Sequence, residues 1–182
     1  MRLRTTGGVI PDAKAAVPAL LSAVKSATEP GGVRAASADA LGGIGAEPGA
    51  VAPALKGAIE DRDVRLRLAC ASALYKFDKG NAKLSLPVLR AGLRDKGAQM
   101  DAVLRLKALG SDAKGAIPDL ISLVVEGGEG GYYAPEALGA IPEAEAALLT
   151  ALKSPDAATR RAAATALPKA FPEAARKAEL VK

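Results

Sequence analysis

Apolar residues recur along the chain every three to four positions. In the segment 16–26, Leu20, Leu21 and Val24 stand at i, i+1 and i+4, one stripe of an amphipathic helix. Around residue 70 the stripe is Leu66, Ala69, Ala73 and Leu74. No stretch alternates polar residues with β-branched apolar ones, so no strand is predicted. The stripes themselves repeat. AVPALLSAVKS at 16–26 returns as VAPALKGAIED at 51–61, LPVLRAGLRD at 86–95, IPDLISLVVE at 117–126 and AALLTALKS at 146–154. Its anchors Pro18, Pro53, Pro87, Pro118 and Ala146 are spaced by 35, 34, 31 and 28 residues. A second element follows each time: ASADALGGIG (36–45), ACASALYKF (69–77), LRLKALG (104–110), PEALGAI (135–141) and AAATALPKAF (162–171). Its Ala-Leu pair ends at Leu41, Leu74, Leu109, Leu138 and Leu167.

Two helices thus alternate five times. One pair cannot bury its own apolar stripe, but stacked pairs bury a continuous core between neighbours. The expected fold is all-α, an α-solenoid of about five helix pairs. The repeats fall at approximately 12–45, 46–80, 81–111, 112–141 and 142–171, within a single array over 1–182, with 172–182 a partial terminal helix. Pro18 sits near a helix start, where its missing N–H costs nothing. Gly42, Gly110 and Gly139 follow the Ala-Leu pairs and are expected to stop helices. Asp63 and Asp156 precede second helices, where a carboxylate favours the positive helix end. Gly127–Gly131 is expected to be a loop that replaces the first turn of a helix and presents Tyr132 and Tyr133.

Composition narrows the chemistry. The 182 residues include no histidine, no tryptophan and one cysteine. Without histidine there is no Ser-His-Asp or Cys-His nucleophile, no imidazole ligand and no histidine base. Cys70 alone forms neither an intrachain disulfide nor a Cys-rich zinc site, and its Ala/Leu surroundings mark it as core. No catalytic, cofactor-binding or metal-binding residue is assigned. The net charge is +5. Residues 1–91 carry 13 basic and 8 acidic groups, and residues 92–182 carry 12 of each. So modest an excess reads as solubility rather than as a phosphate-tracking surface, which argues against nucleic acid. No apolar run is long enough to span a membrane and no signal peptide is visible, so a cytoplasmic location is the default.

The pattern AVPAL-x-x-A-x-K followed by PDAATRRAAATAL resembles HEAT repeats, specifically the short kind of phycobilisome lyase subunits, over nearly the whole chain. The resemblance implies a HEAT/armadillo-like superhelix with an Asp in the turn inside each repeat and an Arg four residues on. Asp63 with Arg67 and Asp156 with Arg160 fit as structural turn pairs; Arg34 fits, with nearby Glu29 in place of its Asp. Ala102 and Gly131 occupy the Arg position in the third and fourth repeats. The resemblance also implies a concave face built by the second helices. HEAT-like deoxyhypusine hydroxylases hold iron through His-Glu pairs, which this chain lacks. HEAT-like DNA glycosylases use an aromatic and acidic cluster in a basic groove, and none is visible.

Rows at fixed offsets from the Ala-Leu leucine define that face. One holds Asp39, Ser72, Lys107, Glu136 and Thr165; another holds Gly43, Lys76, Ser111, Ala140 and Lys169. A third holds Ala35, Leu68, Val103, Tyr132 and Arg161 and has an apolar middle. The expected function is a non-catalytic protein–protein interaction scaffold. Its partner-binding residues are expected to be Leu68, Val103, Tyr132, Tyr133, Lys76, Lys107, Arg161 and Lys169. For Leu68 and Val103 the competing reading is burial between helices. The alternatives are a nucleic-acid-binding HEAT-like module and a subunit of a bilin-lyase-like complex. Gly8–Ala13 resembles the linker after a second helix, and Ala178–Lys182 resembles the opening of another first helix. This suggests a window of a longer array, or ends that self-associate end to end.

Overall fold

The computed structural model describes residues 11–179. Helices follow one another without a strand among the described residues. They are α1 (Pro11–Ala15), α2 (Val17–Lys25), α3 (Gly31–Ile44), α4 (Pro48–Ala58), α5 (Val64–Phe77), α6 (Ala82–Gly92), α7 (Gln99–Leu109), α8 (Ile117–Glu126), α9 (Gly128–Gly139), α10 (Ala144–Ala151), α11 (Ala157–Ala170) and α12 (Pro172–Glu179). Two short 3₁₀ turns, Lys79–Asn81 and Gly110–Ala116, lead into α6 and α8. The chain divides into two compact units, residues 1–78 and 79–182. In the first, α3 packs on α2 and α5, and α4 on α5. In the second, α7, α9 and α11 lie side by side, with α6, α8 and α10 each against its own partner. The fold is all-α, of the α-solenoid kind.

The second helices share one internal frame. Leu41, Leu74, Leu109, Leu138 and Leu167 each stand eleven residues beyond the N-cap of their helix, at Pro30, Asp63, Ala98, Gly127 and Asp156. All five leucines are buried. In the first unit they join Leu55 and Leu66; in the second they join Leu89, Leu106, Leu120 and Leu148. Burying each leucine is worth roughly 2 kcal/mol, which makes this repeated position the main specification of the stack.

Several local expectations are corrected. Pro53 and Pro87 lie inside α4 and α6, which begin a turn earlier. Both prolines are exposed, so the bond each deletes lies on the water side, where the unpaired carbonyl is solvated. Only Gly110 of the three expected stops is a C-cap, with φ 57°. α3 runs past Gly42 to Gly45, whose φ of 65° ends it. A Cβ on Gly42 would lie 2.8 Å from Ala73 of α5, and one on Gly139 would lie 2.9 Å from the Ala170 carbonyl oxygen. Those two glycines are there for close helix approach.

The glycine stretch is not a loop either. Gly127 caps α8 with φ 76°, and Gly128–Gly131 form the first turn of α9. Gly130 and Gly131 are buried, and their Cβ positions would fall 2.9 Å from Gln99 Cβ and 2.5 Å from the Leu123 carbonyl oxygen. Packing against α7 and α8 keeps the turn helical despite poor propensity. At the chain's ends, Pro11–Ala15 is helical where a linker was expected, and α12 (Pro172–Glu179) lies within the span 172–182 given to a partial terminal helix. The rest of those two expectations, residues 8–10 and 180–182, lies outside the described residues.

Candidate functional site

The turn residues hydrogen-bond within their own turns, by a route different from the expected i, i+4 pairing. Asp63 caps α5: its Oδ1 accepts from the N–H groups of Arg65 at 2.8 Å and Leu66 at 3.3 Å. Asp156 caps α11, accepting from both the N–H and the hydroxyl of Thr159 at 2.7 Å. These bonds hold the Asp156 carboxyl below the ordinary carboxylate range, the Thr159 hydroxyl contributing most. The arginines turn instead to carbonyls of the preceding turn. Arg67 Nη1 donates to Asp61 O at 2.7 Å and Arg62 O at 3.0 Å; Arg160 Nη1 donates to Ser154 O and Pro155 O, both at 2.7 Å. A carboxylate already engaged by helix N–H groups and a guanidinium already engaged by two carbonyls satisfy opposite backbone orphans of one turn.

Arg34 holds the same place in α3, four residues after its N-cap, yet its acid is not Glu29. Its Nε donates to Val24 O at 3.1 Å and its Nη2 to Asp61 Oδ2 at 2.8 Å. Pro30 caps α3 without a side-chain acceptor, so the guanidinium reaches forward to the next turn.

α7, α9 and α11 pack side by side, α7 on α9 and α9 on α11, and their exposed faces carry linked side chains. α7 buries Ala102, Val103, Leu106 and Leu109. The opposite stripe carries Met100, Leu104 and Lys107, with Met100 and Leu104 exposed at 37% and 44%. On α9, Tyr132 is exposed at 66% and shares a stripe with Glu136. On α11 the stripe is Arg161, Thr165 and Lys169, all exposed. Side chains knit the stripes together. Lys107 Nζ meets Glu136 Oε2 at 2.9 Å, joining α7 to α9. Lys169 Nζ lies 5.3 Å from the centroid of the Tyr132 ring, joining α11 to α9 through a cation–π contact. Tyr133 meets Tyr132 edge-on at 5.2 Å and is half-buried, so it backs the exposed ring.

The expected partner-binding set therefore divides. Tyr132, Tyr133, Lys107, Arg161 and Lys169 come together on this surface. Lys76 is exposed on α5 in the first unit, near Gly42 of α3. Leu68 and Val103 are removed from the set. Both are fully buried, because the stripe facing the neighbouring helices passes through them. A buried leucine offers nothing to a partner and much to the core. Met100 and Leu104 were missed. Their four-residue spacing was legible, but α7 carries a second apolar stripe through Val103 and Leu106. Periodicity alone does not say which stripe faces water.

Two further hollows lie among the described residues. One of about 350 Å³ in the first unit is lined by Val24, Lys25, Arg34, Pro53, Gly57 and Asp61, with the Arg34–Asp61 pair at its side. Another, beside Lys96, Gln99, Glu126 and Glu129, opens at the start of α9. Cys70 is buried in α5. Among the described residues no three His, Cys, Asp or Glu side chains gather as a metal site, and no helix is long and apolar enough to cross a membrane.

A family model described as HEAT repeats matches residues 17–110, just over half of the chain. No curated protein matches it. Among solved structures the chain is similar to human deoxyhypusine hydroxylase in complex with glycerol, at 20% identity and a TM-score of 0.36, with 88% of this chain and 75% of that chain covered.

Proposed function

The chain belongs to the HEAT-repeat family, and on that premise we propose that it is a non-catalytic scaffold that binds a protein partner through the exposed faces of α7, α9 and α11. The observation that carries the reading is the linked surface itself. Leu104, Met100 and Tyr132 are large apolar groups left in water; the Lys107–Glu136 pair links α7 to α9, and Lys169 lies over the Tyr132 ring. Aromatic and aliphatic anchors ringed by polar groups are what a protein interface concentrates. Chemistry supports the non-catalytic part. The sequence holds no histidine, and its single thiol is buried away from any substrate.

A photo-crosslinking amino acid placed at Leu104 or Tyr132 tests the reading in cells that make the protein. A discrete crosslinked partner is expected from both positions. The control positions are Pro53 and Leu84, exposed on the first helices α4 and α6. Equal crosslinking from the controls, or none from Leu104 and Tyr132, removes this surface as the binding face.

A further inference from the structure

Resting on the scaffold reading, we infer that the partner presents an acidic peptide segment, laid along α11 with carboxylates on Arg161 and Lys169 and one aliphatic side chain seated between α8 and α11. The seat is a depression of about 100 Å³. Its floor is Val124 and Val125 of α8 with Ala158 and Ala162 of α11, and its rim is Arg161 and Thr165. That is room for a few water molecules or one aliphatic side chain. The floor is apolar, so such water is poorly held and a methyl-bearing group displaces it with gain.

The rim sets the charge of the occupant. No acidic residue lines the depression. Among the described residues no acid pairs with Arg161 or Lys169, whereas Arg90, Arg105 and Lys107 of the same unit are each matched, to Asp119, Asp101 and Glu136. Thr165 donates its hydroxyl to the Arg161 backbone carbonyl oxygen at 2.9 Å. Lys169 is held over the Tyr132 ring, a neutral support that steers the ammonium without cancelling its charge. Glu136, on the same face of α9 as Tyr132, is already bonded to Lys107. This patch therefore keeps positive charge beside an apolar hollow.

Spacing adds register. Arg161 and Lys169 stand eight residues apart on one stripe, about 12 Å along the axis at 1.5 Å per residue. An extended peptide rises about 3.3 Å per residue and points every second side chain to one face. Two acids four positions apart then span the two cations, and an aliphatic residue within two positions of the first acid reaches the seat beside Arg161.

A displayed library of random short peptides, selected on the whole chain, tests this. Recovered peptides are expected to be enriched in Asp and Glu next to Leu, Ile or Val. Their affinity should fall by about tenfold or more for the Arg161→Glu/Lys169→Glu variant and fall with added salt, as charge-steered contacts do. Both residues are exposed, so circular dichroism of that variant should match the parent. Ala158→Leu, which fills the depression from its half-buried floor, should weaken the same peptides without changing the salt dependence. Peptides with no acidic enrichment, or binding that ignores the double variant, overturn the inference. If such peptides are lost instead on Leu104→Glu, the scaffold reading survives and the acidic partner does not. If no peptide of any composition is recovered, the acidic segment falls, and crosslinking from Leu104 and Tyr132 decides the scaffold reading separately.

Discussion

Arg34 of α3 and Asp61 of the turn before α5 meet at 2.8 Å, which ties one helix pair to the turn inside the next. Both side chains are mostly covered, with 16% and 23% of their surface exposed. The Asp61 carboxyl lies below its ordinary value because the Asp63 N–H donates to it first and Arg34 second. A lowered carboxyl stabilises the fold above the unfolded-state value and loses that contribution as pH falls through the lowered one. Asp61→Asn should therefore destabilise the protein by about 1 kcal/mol at neutral pH. In urea melts the gap to the parent should close as the pH drops below about 4. A gap that persists in acid would mean that shape, not charge, holds this turn.

Asp63 and Arg67 serve one turn without bonding to each other, and energetics can separate them. Asp63→Ala removes the cap of α5 and should cost about 1 kcal/mol. Arg67→Ala frees two carbonyls and should cost a similar amount. The double variant should show the sum, to within about 0.5 kcal/mol. A coupling well above that would restore the direct ion pair that the sequence pattern suggests.

Burial separates Leu68 and Val103 from Tyr132, although all three occupy one row of the repeat. Leu68→Ala should lower stability by about 2–5 kcal/mol, as cavities in close-packed cores do, and Val103→Ala by somewhat less. Tyr132→Ala should change stability by no more than about 0.5 kcal/mol, since the ring is largely in water. The same Tyr132 substitution should weaken partner binding by about tenfold or more. Thermal melts beside a binding titration read both quantities.

The repeat itself was plain in the sequence because the anchoring leucine returns at one position of every second helix. What stayed hidden was rotation. Tyr132 and Arg161 stand at the row position of Leu68 and Val103, yet α9 and α11 turn it to water while α5 and α7 turn it inward. That choice is made by which neighbours pack against each helix, and a single sequence does not encode it locally. Long-range reach was equally hidden. Arg34 looked paired to Glu29, five residues away, and found Asp61 across the turn instead. A legible glycine misled for a related reason: Gly42 reads as a stop by composition, but α3 runs through it and it answers to the α5 backbone far off in sequence, whereas Gly139 does end α9 and also abuts Ala170.

Gly131 gives the sharpest check on that last point. Read from composition, Gly127–Gly131 is a flexible loop in which alanine should be harmless. In the fold, a Cβ on Gly131 would lie 2.5 Å from the Leu123 carbonyl oxygen, the same oxygen that accepts the Gly127 N–H at 3.0 Å to close α8. Alanine there must push the end of α8 away from the first turn of α9, and overpacking of this kind costs about 1–3 kcal/mol. Gly32, exposed in the first turn of α3 with nothing near its Cβ position, is the matched control. Gly32→Ala should be neutral or stabilising by up to about 1 kcal/mol, because alanine loses less backbone entropy on folding. Thermal melts of the two variants should thus move in opposite directions. If Gly131→Ala melts with the parent, the first turn of α9 is not packed against α8, and the base from which Tyr132 projects is gone with it.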